Sequence, residues 1–340
     1  MLLVTGINYH LALSIDWKRV DMRILVTGGA GFIGSNLVDS LISDGHSVTA
    51  FDNLSTGRRE FVSHLVNNPQ FSLIEGDLQD QDLLSKAVAG KDAVVHLAAN
   101  ADVRFGWNHP RRDFEQNVLV TQNVLEAMRT NGVRRILFSS TGSVYGDCKI
   151  VPTPETAPFP IQTSLYGASK CAAEGLISSY AEAGHVSSTI FRFVSILGPR
   201  YTHGHIIDFV AQLTKDPENL RVLGNGTQRK SYLHVTDCVN AISNRLIDNP
   251  KFEVLNLGIE GYCEVNNSIS WITKRLGIQP QLNYTGGDRG WIGDNPFIYL
   301  DTTAMKSHGW SPTHTIQSAV EDTVDWIKQN QWVLEMANTD

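Results

Sequence analysis

Cysteine is scarce in this chain. Cys148, Cys171, Cys238 and Cys263 are the four among 340 residues, and their spacing suits neither a metal centre nor a redox pair. No metal is expected, and reduced structural thiols in a cytoplasmic protein are the expectation. Excess positive charge is also lacking. A formal charge of −7 gives no general attraction to nucleic acid or to an anionic membrane, which leaves room only for a local basic pocket that holds a phosphorylated ligand. Residues 1–21 lack a basic start, and Asp16, Lys18 and Arg19 interrupt their apolar character, which excludes a signal peptide and a membrane span. Met22 falls where the first clear strand begins, so translation is expected to start there; a short element packed on the surface is the alternative.

What is present is a glycine-rich turn between a strand and a helix. Arg23 to Thr27 reads as a buried strand, Gly28 to Gly31 as a tight turn, and Phe32 onward as a helix. Glycines at 28, 31 and 34 suit a sharp turn, close approach of the backbone to a pyrophosphate, and tight packing of helix on strand. The phosphates would rest on the unpaired N–H groups of the helix start. A second apolar run ends in Asp52, about twenty residues beyond the turn, where a carboxylate accepts hydrogen bonds from an adenosine ribose and repels a 2′-phosphate. NAD is therefore expected over NADP. Phe71 to Leu78 reads as a third strand, with Asp77 and Leu78 placed for adenine. Either aspartate alone could be an ordinary turn residue.

The remaining order is strand alternating with helix. Gln81–Gly90 and Asp113–Asn131 have helical spacing, while Asp92–Ala99 and Arg134–Ser139 read as strands. That alternation predicts an α/β fold with a Rossmann-type, doubly wound parallel sheet. Past the fifth strand come Thr141, Gly142 and Ser143, and later Tyr166-Gly-Ala-Ser-Lys170 opens another helix. Tyr and Lys four apart share a helical face. A free tyrosine titrates near pH 10, so service as a base near neutrality asks for a pKa about 3 lower, worth about 4 kcal/mol. Lys170 and a positive nicotinamide ring would supply that lowering, and Thr141 would bond the same substrate oxygen. An interface tyrosine is the plain alternative for Tyr166.

These residues resemble the extended short-chain dehydrogenase/reductases that act on nucleotide sugars. The likeness rests on Gly28, Gly31, Gly34, Thr141 and Tyr166-x-x-x-Lys170, and continues through Phe191-Arg-Phe, Gly198-Pro-Arg, Gly224 to Asp237, and Gly309-Trp310-Ser-Pro312. It implies that Phe32, Ile33 and Gly34 line the pyrophosphate and that Asp52, Asn53, Leu54, Ser55, Thr56 and Gly57 surround the ribose. It also implies that Leu97, Ala98, Ala99 and Asn100, with Gln116 or Asn117, lie along the cofactor, and that Phe193 and Val194 approach the nicotinamide. Thr141, Ser143, Tyr166, Ser195, Lys230 and Arg289 would meet the nucleotide sugar, with Ile298 near its sugar. Ser195 and Lys230 depart from the Asn and Arg common at those positions, and an ammonium lacks the two-pronged grip of a guanidinium on phosphate.

The resemblance implies an NAD-binding domain from 22–194 plus about 233–260, a nucleotide-sugar region from about 195–232 and 261–335, and a homodimer through the helices near 113–131 and 166–184. Relatives that dehydrate or decarboxylate their sugar carry an acid directly after the threonine. This chain has Gly142 and Ser143 there. The expectation is an NAD-dependent 4-epimerase of a UDP-glucose or UDP-galactose type sugar. A dehydratase or reductase of the same family is the alternative, and from another class, a regulatory protein that binds NAD without turnover.

Overall fold

A computed structural model describes residues 21–100, 108–158, 161–287 and 297–336. Residues 1–20 and Arg289 lie outside the described residues, so the expected start at Met22 and the expected role of Arg289 are not located by it. The elements run β1 (Arg23–Thr27), α1 (Phe32–Ser43), β2 (Ser47–Asp52), β3 (Phe71–Glu75), α2 (Gln81–Val88), β4 (Ala93–His96), α3 (Pro110–Asp113), α4 (Val120–Asn131) and β5 (Arg135–Thr141). They continue with α5 (Leu165–Glu182), β6 (Ser187–Phe193), β7 (Ser195–Leu197), α6 (His205–Lys215), β8 (Asn219–Val222), β9 (Arg229–Lys230), β10 (Tyr232–His234) and α7 (Val235–Asn244). The last are β11 (Phe252–Leu257), β12 (Cys263–Glu264), α8 (Val265–Leu276), β13 (Gln281–Tyr284), α9 (Thr303–Ser307) and α10 (Ile316–Gln329).

Seven strands form one parallel sheet in the order β11-β6-β5-β4-β1-β2-β3. Both faces are covered, so the inner strands carry unbroken apolar stretches at Ile24–Val26, Ala93–Val95 and Ile136–Phe138. One face buries Leu37, Val38 and Leu41 of α1 with Val239 and Ile242 of α7; the other buries Leu84 of α2, Val124 and Met128 of α4, and Ile177 of α5. The order reverses between β1 and β4, and in such sheets ligands bind beyond the C-terminal ends of the strands at that reversal. A third cluster joins α6, α8 and α10 around Leu220 and Val222 of β8, apart from the main sheet.

The helix expected over Asp113–Asn131 is not regular. It begins as α3, widens into a π-helical turn over Phe114–Leu119, and resumes as α4. Such turns insert an extra residue and re-aim side chains, often at functional sites. Here the wider turn places buried Asn117 so that its Oδ1 accepts the Asn100 N–H at 2.8 Å while its Nδ2 donates to Ser169 Oγ at 2.8 Å. All four cysteines are free. Among the described residues, no helix is long and apolar enough to cross a membrane.

Candidate active site

The glycine turn has the steric character expected of it. Gly28 has φ +68°, and a Cβ there would lie 2.8 Å from the Ala98 backbone nitrogen. A Cβ on Gly34 would lie 2.0 Å from Gly28 O, so helix and turn touch backbone to backbone. Helix α1 then starts at Phe32 with no side-chain cap on Gly31 and no acid in its first turn. Its leading N–H groups are thus turned toward the sheet's C-terminal edge without a capping oxygen, a setting that favours an anion. Asp52 ends β2 beside it, with Oδ2 accepting Ala30 N–H at 2.9 Å and Oδ1 accepting Leu54 N–H at 2.9 Å. Burial pushes its pKa up and these two bonds oppose the rise. Leu54 holds φ +56°, an unusual value for a residue other than glycine. Asn53 Nδ2 reaches Asp77 Oδ2 at 3.2 Å, which joins the loops after β2 and β3.

Thr141 and Phe193 are register partners at the ends of β5 and β6. Helix α5, capped by Ser164 Oγ on Gly167 N–H at 3.0 Å, brings Tyr166 to them. The Tyr166 hydroxyl is hydrogen-bonded to Thr141, while Ser143 N–H donates to Thr141 Oγ1 at 3.1 Å. Lys170 is buried, and its Nζ donates to Ser139 O at 2.8 Å. The structure therefore joins Thr141, Tyr166 and Lys170 at one point of the sheet edge.

The expected lowering of the Tyr166 pKa by Lys170 is not found. Burial pushes Tyr166 up to about 12, with the Thr141 bond opposing and Asp113 adding to the rise. Burial likewise takes Lys170 down to about 7. Two polar groups taken out of water both move toward their neutral forms.

Behind them His96 is held neutral, lowered to about 3 by burial and by the charge of Lys170. Thr121 Oγ1 donates to Asn117 O at 2.6 Å and so accepts from His96 Nε2 at 3.1 Å, which assigns the proton to Nε2. His96 Nδ1 is then the acceptor for Thr27 Oγ1 at 2.7 Å.

Of the residues expected at the sugar nucleotide, Ser195 is exposed at the head of β7, paired in register with Tyr232, two residues beyond Lys230. Lys230 lies on β9 opposite Cys263, and its charge helps burial depress His205 to about 3. Ser143 is buried in the turn after Thr141.

Residues 24–258 match the family described as NAD dependent epimerase/dehydratase. The chain belongs to that family. A UDP-glucose 4-epimerase of Mycolicibacterium smegmatis is 35% identical over 90% of this chain and 99% of its own length. A dTDP-glucose 4,6-dehydratase of the same organism is 32% identical over 91% of this chain and 94% of its own. A crystal structure of UDP-galactose 4-epimerase superposes with TM-score 0.81 at 39% identity, covering 92% of this chain and all of that one. Overall likeness thus fixes the family and its nucleotide-sugar chemistry. The choice among its reactions falls to individual residues.

The residues present fit NAD, the cofactor of this epimerase/dehydratase family. That fit rests on the backbone cradle that a Cβ at Gly28 or Gly34 would fill, the uncapped start of α1, and the Asp52 carboxylate with lone pairs left beside Gly57. Among the described residues, His234, His314 and Asp322 have possible metal-ligating atoms within 4.8 Å of one another. His234 Nδ1, however, accepts the Thr236 N–H at 3.1 Å, so the ring proton sits on Nε2 and no lone pair there faces the others.

Two side chains at this site, Asp113 and Glu174, are not evident from sequence reading, while Ile298 is the residue expected near the sugar. Asp113 is buried and accepts from Asn100 Nδ2 at 2.8 Å. Ile298 lies against Gly142, and Glu174 stands one turn past Lys170. Of Asp113 and Glu174, only the spacing of Glu174 could have been seen in the sequence.

Proposed function

We propose that this protein is an NAD-dependent 4-epimerase of a UDP-sugar, of UDP-glucose or UDP-galactose type, acting through a 4-keto sugar. One observation carries the choice of reaction. A Cβ on Gly142 would meet Ile298 Cγ2 at 2.5 Å, Phe193 O at 3.2 Å and Leu300 Cδ1 at 3.6 Å, so the place where an eliminating relative would carry an acid is closed by two aliphatic side chains and a carbonyl oxygen that would repel a carboxylate. Next to it, Ser143 offers a hydroxyl in place of a carboxyl.

In this reading Tyr166 Oη takes the proton from the sugar O4 as C4 is oxidised, and returns it once the keto sugar has turned. Thr141 Oγ1, fixed by Ser143 N–H, orients O4 toward Tyr166. Lys170 Nζ, when protonated, adds a positive charge that favours the phenolate against the neutral phenol that burial favours. NAD, when bound, would supply the two-electron chemistry at C4 and, when oxidised, a second positive charge. The chain moves one proton between oxygens and none on carbon. Such a task needs Thr141, Tyr166 and Lys170 and no further acid.

The same reading assigns the diphosphate to Ser195, Lys230 and Arg289, and the sugar nucleotide to about 195–232 and 261–335. A homodimer through α4 and α5 belongs to it and is tested by light scattering. Incubation of the purified protein with UDP-glucose, UDP-galactose, UDP-glucuronic acid and the N-acetyl sugars, with products read by proton NMR, tests the function. Interconversion of one C4 pair is expected, and a keto-deoxy or pentose product would overturn it.

A further inference from the structure

Helix α5 carries a third polar residue on the face that holds Tyr166 and Lys170. Glu174 follows Lys170 at the same four-residue interval, and residues four apart on a helix are neighbours. Glu174 is 8% exposed. Its carboxylate is gripped from two other elements: Ser140 Oγ of β5 donates to Oε1, and Arg192 of β6 donates from Nε to Oε1 at 3.1 Å and from Nη2 to Oε2 at 2.7 Å. With both oxygens so engaged, it acts on Lys170 through space.

Arg192 extends the grip. Its Nη1 donates to Tyr145 Oη at 2.8 Å and to Glu155 O at 3.3 Å, and Tyr145 Oη donates to Asn256 Oδ1 at 2.8 Å. Tyr145 ends the short turn that Thr141 caps. One buried ion pair therefore ties the helix of Tyr166 and Lys170 to the turn of Thr141.

Lys170 needs a counter-charge if it is to be an ammonium in the interior. Ser139 O favours the ammonium as a donor but brings only a partial charge, and the Phe138 ring, 4.7 Å from Nζ, contributes only its face. Around it, His96 on β4 and Tyr166 on α5 are neutral, the Asp113 charge acts on Tyr166, and Arg192 on β6 is positive. Burial drives Lys170 toward neutrality, and the charge of Glu174 opposes it.

We propose that Glu174, fixed by Arg192 and Ser140, is a positioning residue that keeps buried Lys170 protonated and holds α5 in register with the Thr141 turn. The proposal rests on the reading of Tyr166 and Lys170 as the acid/base pair. Glu174→Gln keeps the shape and removes the charge, leaving Arg192 unbalanced in the same direction. In the NAD-loaded protein with ¹³C-labelled lysine, the Lys170 Cε resonance, assigned by its loss in Lys170→Met, reports the titration. The midpoint is expected to fall by about 1 pH unit in Glu174→Gln, and Glu174→Asp, which keeps the charge, is expected to stay nearer to wild type. Superimposable wild-type and Gln curves would overturn the proposal.

That readout needs no turnover, so it is separate from a failure of the epimerase reading. In the kcat profile, the alkaline limb should move down by the same amount while KM for the sugar nucleotide is unchanged. Should Glu174→Gln not fold, Glu174→Gln combined with Lys170→Met decides. Recovered folding supports the proposal, since no buried ammonium is then left without its counter-charge, and continued failure reduces Glu174 to a purely structural partner of Arg192.

Discussion

Gly142 and Ile298 are packed so closely that a methyl group on the first would lie 2.5 Å from Cγ2 of the second. Gly142→Asp therefore puts a carboxyl where Ile298 and Phe193 O already sit. Stability is expected to fall by about 1–3 kcal/mol, with part of the loss recovered by adding Ile298→Ala. Urea unfolding of the three proteins measures this, and an undiminished Gly142→Asp would show that the space is open.

Tyr166→Phe removes one hydroxyl from the Thr141 bond and leaves Lys170 in place. Turnover is expected to drop about 10²- to 10⁴-fold with NAD content and melting temperature nearly unchanged. Wild-type turnover in this variant would mean that another group moves the proton.

Buried Lys170 gives NAD-free protein a specific pH dependence. Its folded pKa is lowered to about 7 from 10.5, so between those values the unfolded chain holds a proton that the folded chain has released. Stability must then rise with pH through that window, with the full cost of the buried charge present below it. Compared with Lys170→Met, wild type should gain unfolding free energy from pH 7 to 10. Parallel curves for the two proteins would contradict the burial of a titrating amine.

Asp52 binds two backbone N–H groups besides the ribose contact proposed for it. Asp52→Ala leaves the Ala30 and Leu54 donors without their acceptor, at a cost of about 1–3 kcal/mol for each. It should also narrow the preference for NAD over NADP. Calorimetric titration of both dinucleotides checks this, and a wild-type protein that binds NADP more tightly would contradict the role of the carboxylate.

What the sequence made legible is local. Runs expected to end at Thr27, Asp52, Leu78, Ala99 and Ser139 mark five of the seven strands, whose ends fall at Thr27, Asp52, Glu75, His96 and Thr141, and the three-residue and four-residue spacings mark the glycine turn and the Tyr166–Lys170 face. Separated motif pieces found their reason only in space. Asp237 takes the Thr313 and His314 N–H groups at 3.0 and 3.1 Å, and its carbonyl accepts Trp310 Nε1 at 3.1 Å, so the pieces at Val235 and Trp310 form one joint. The π-helical turn at Phe114–Leu119 left no mark in the helical periodicity, because one added residue shifts the pattern by less than the spread of its apolar positions. The approach of Ile298 to Gly142 and of Arg192 to Glu174 depends on chain paths that a linear pattern does not encode.

Product mass in heavy water tests 4-epimerisation most directly. Turned-over UDP-sugar should keep the mass of the substrate, differ from it at C4, and carry no new carbon–deuterium bond, because Thr141, Tyr166 and Lys170 together move a proton only between oxygens. A product lighter by one water and labelled on carbon would contradict the account, since dehydration requires an acid and a base that Gly142 and Ser143 do not supply.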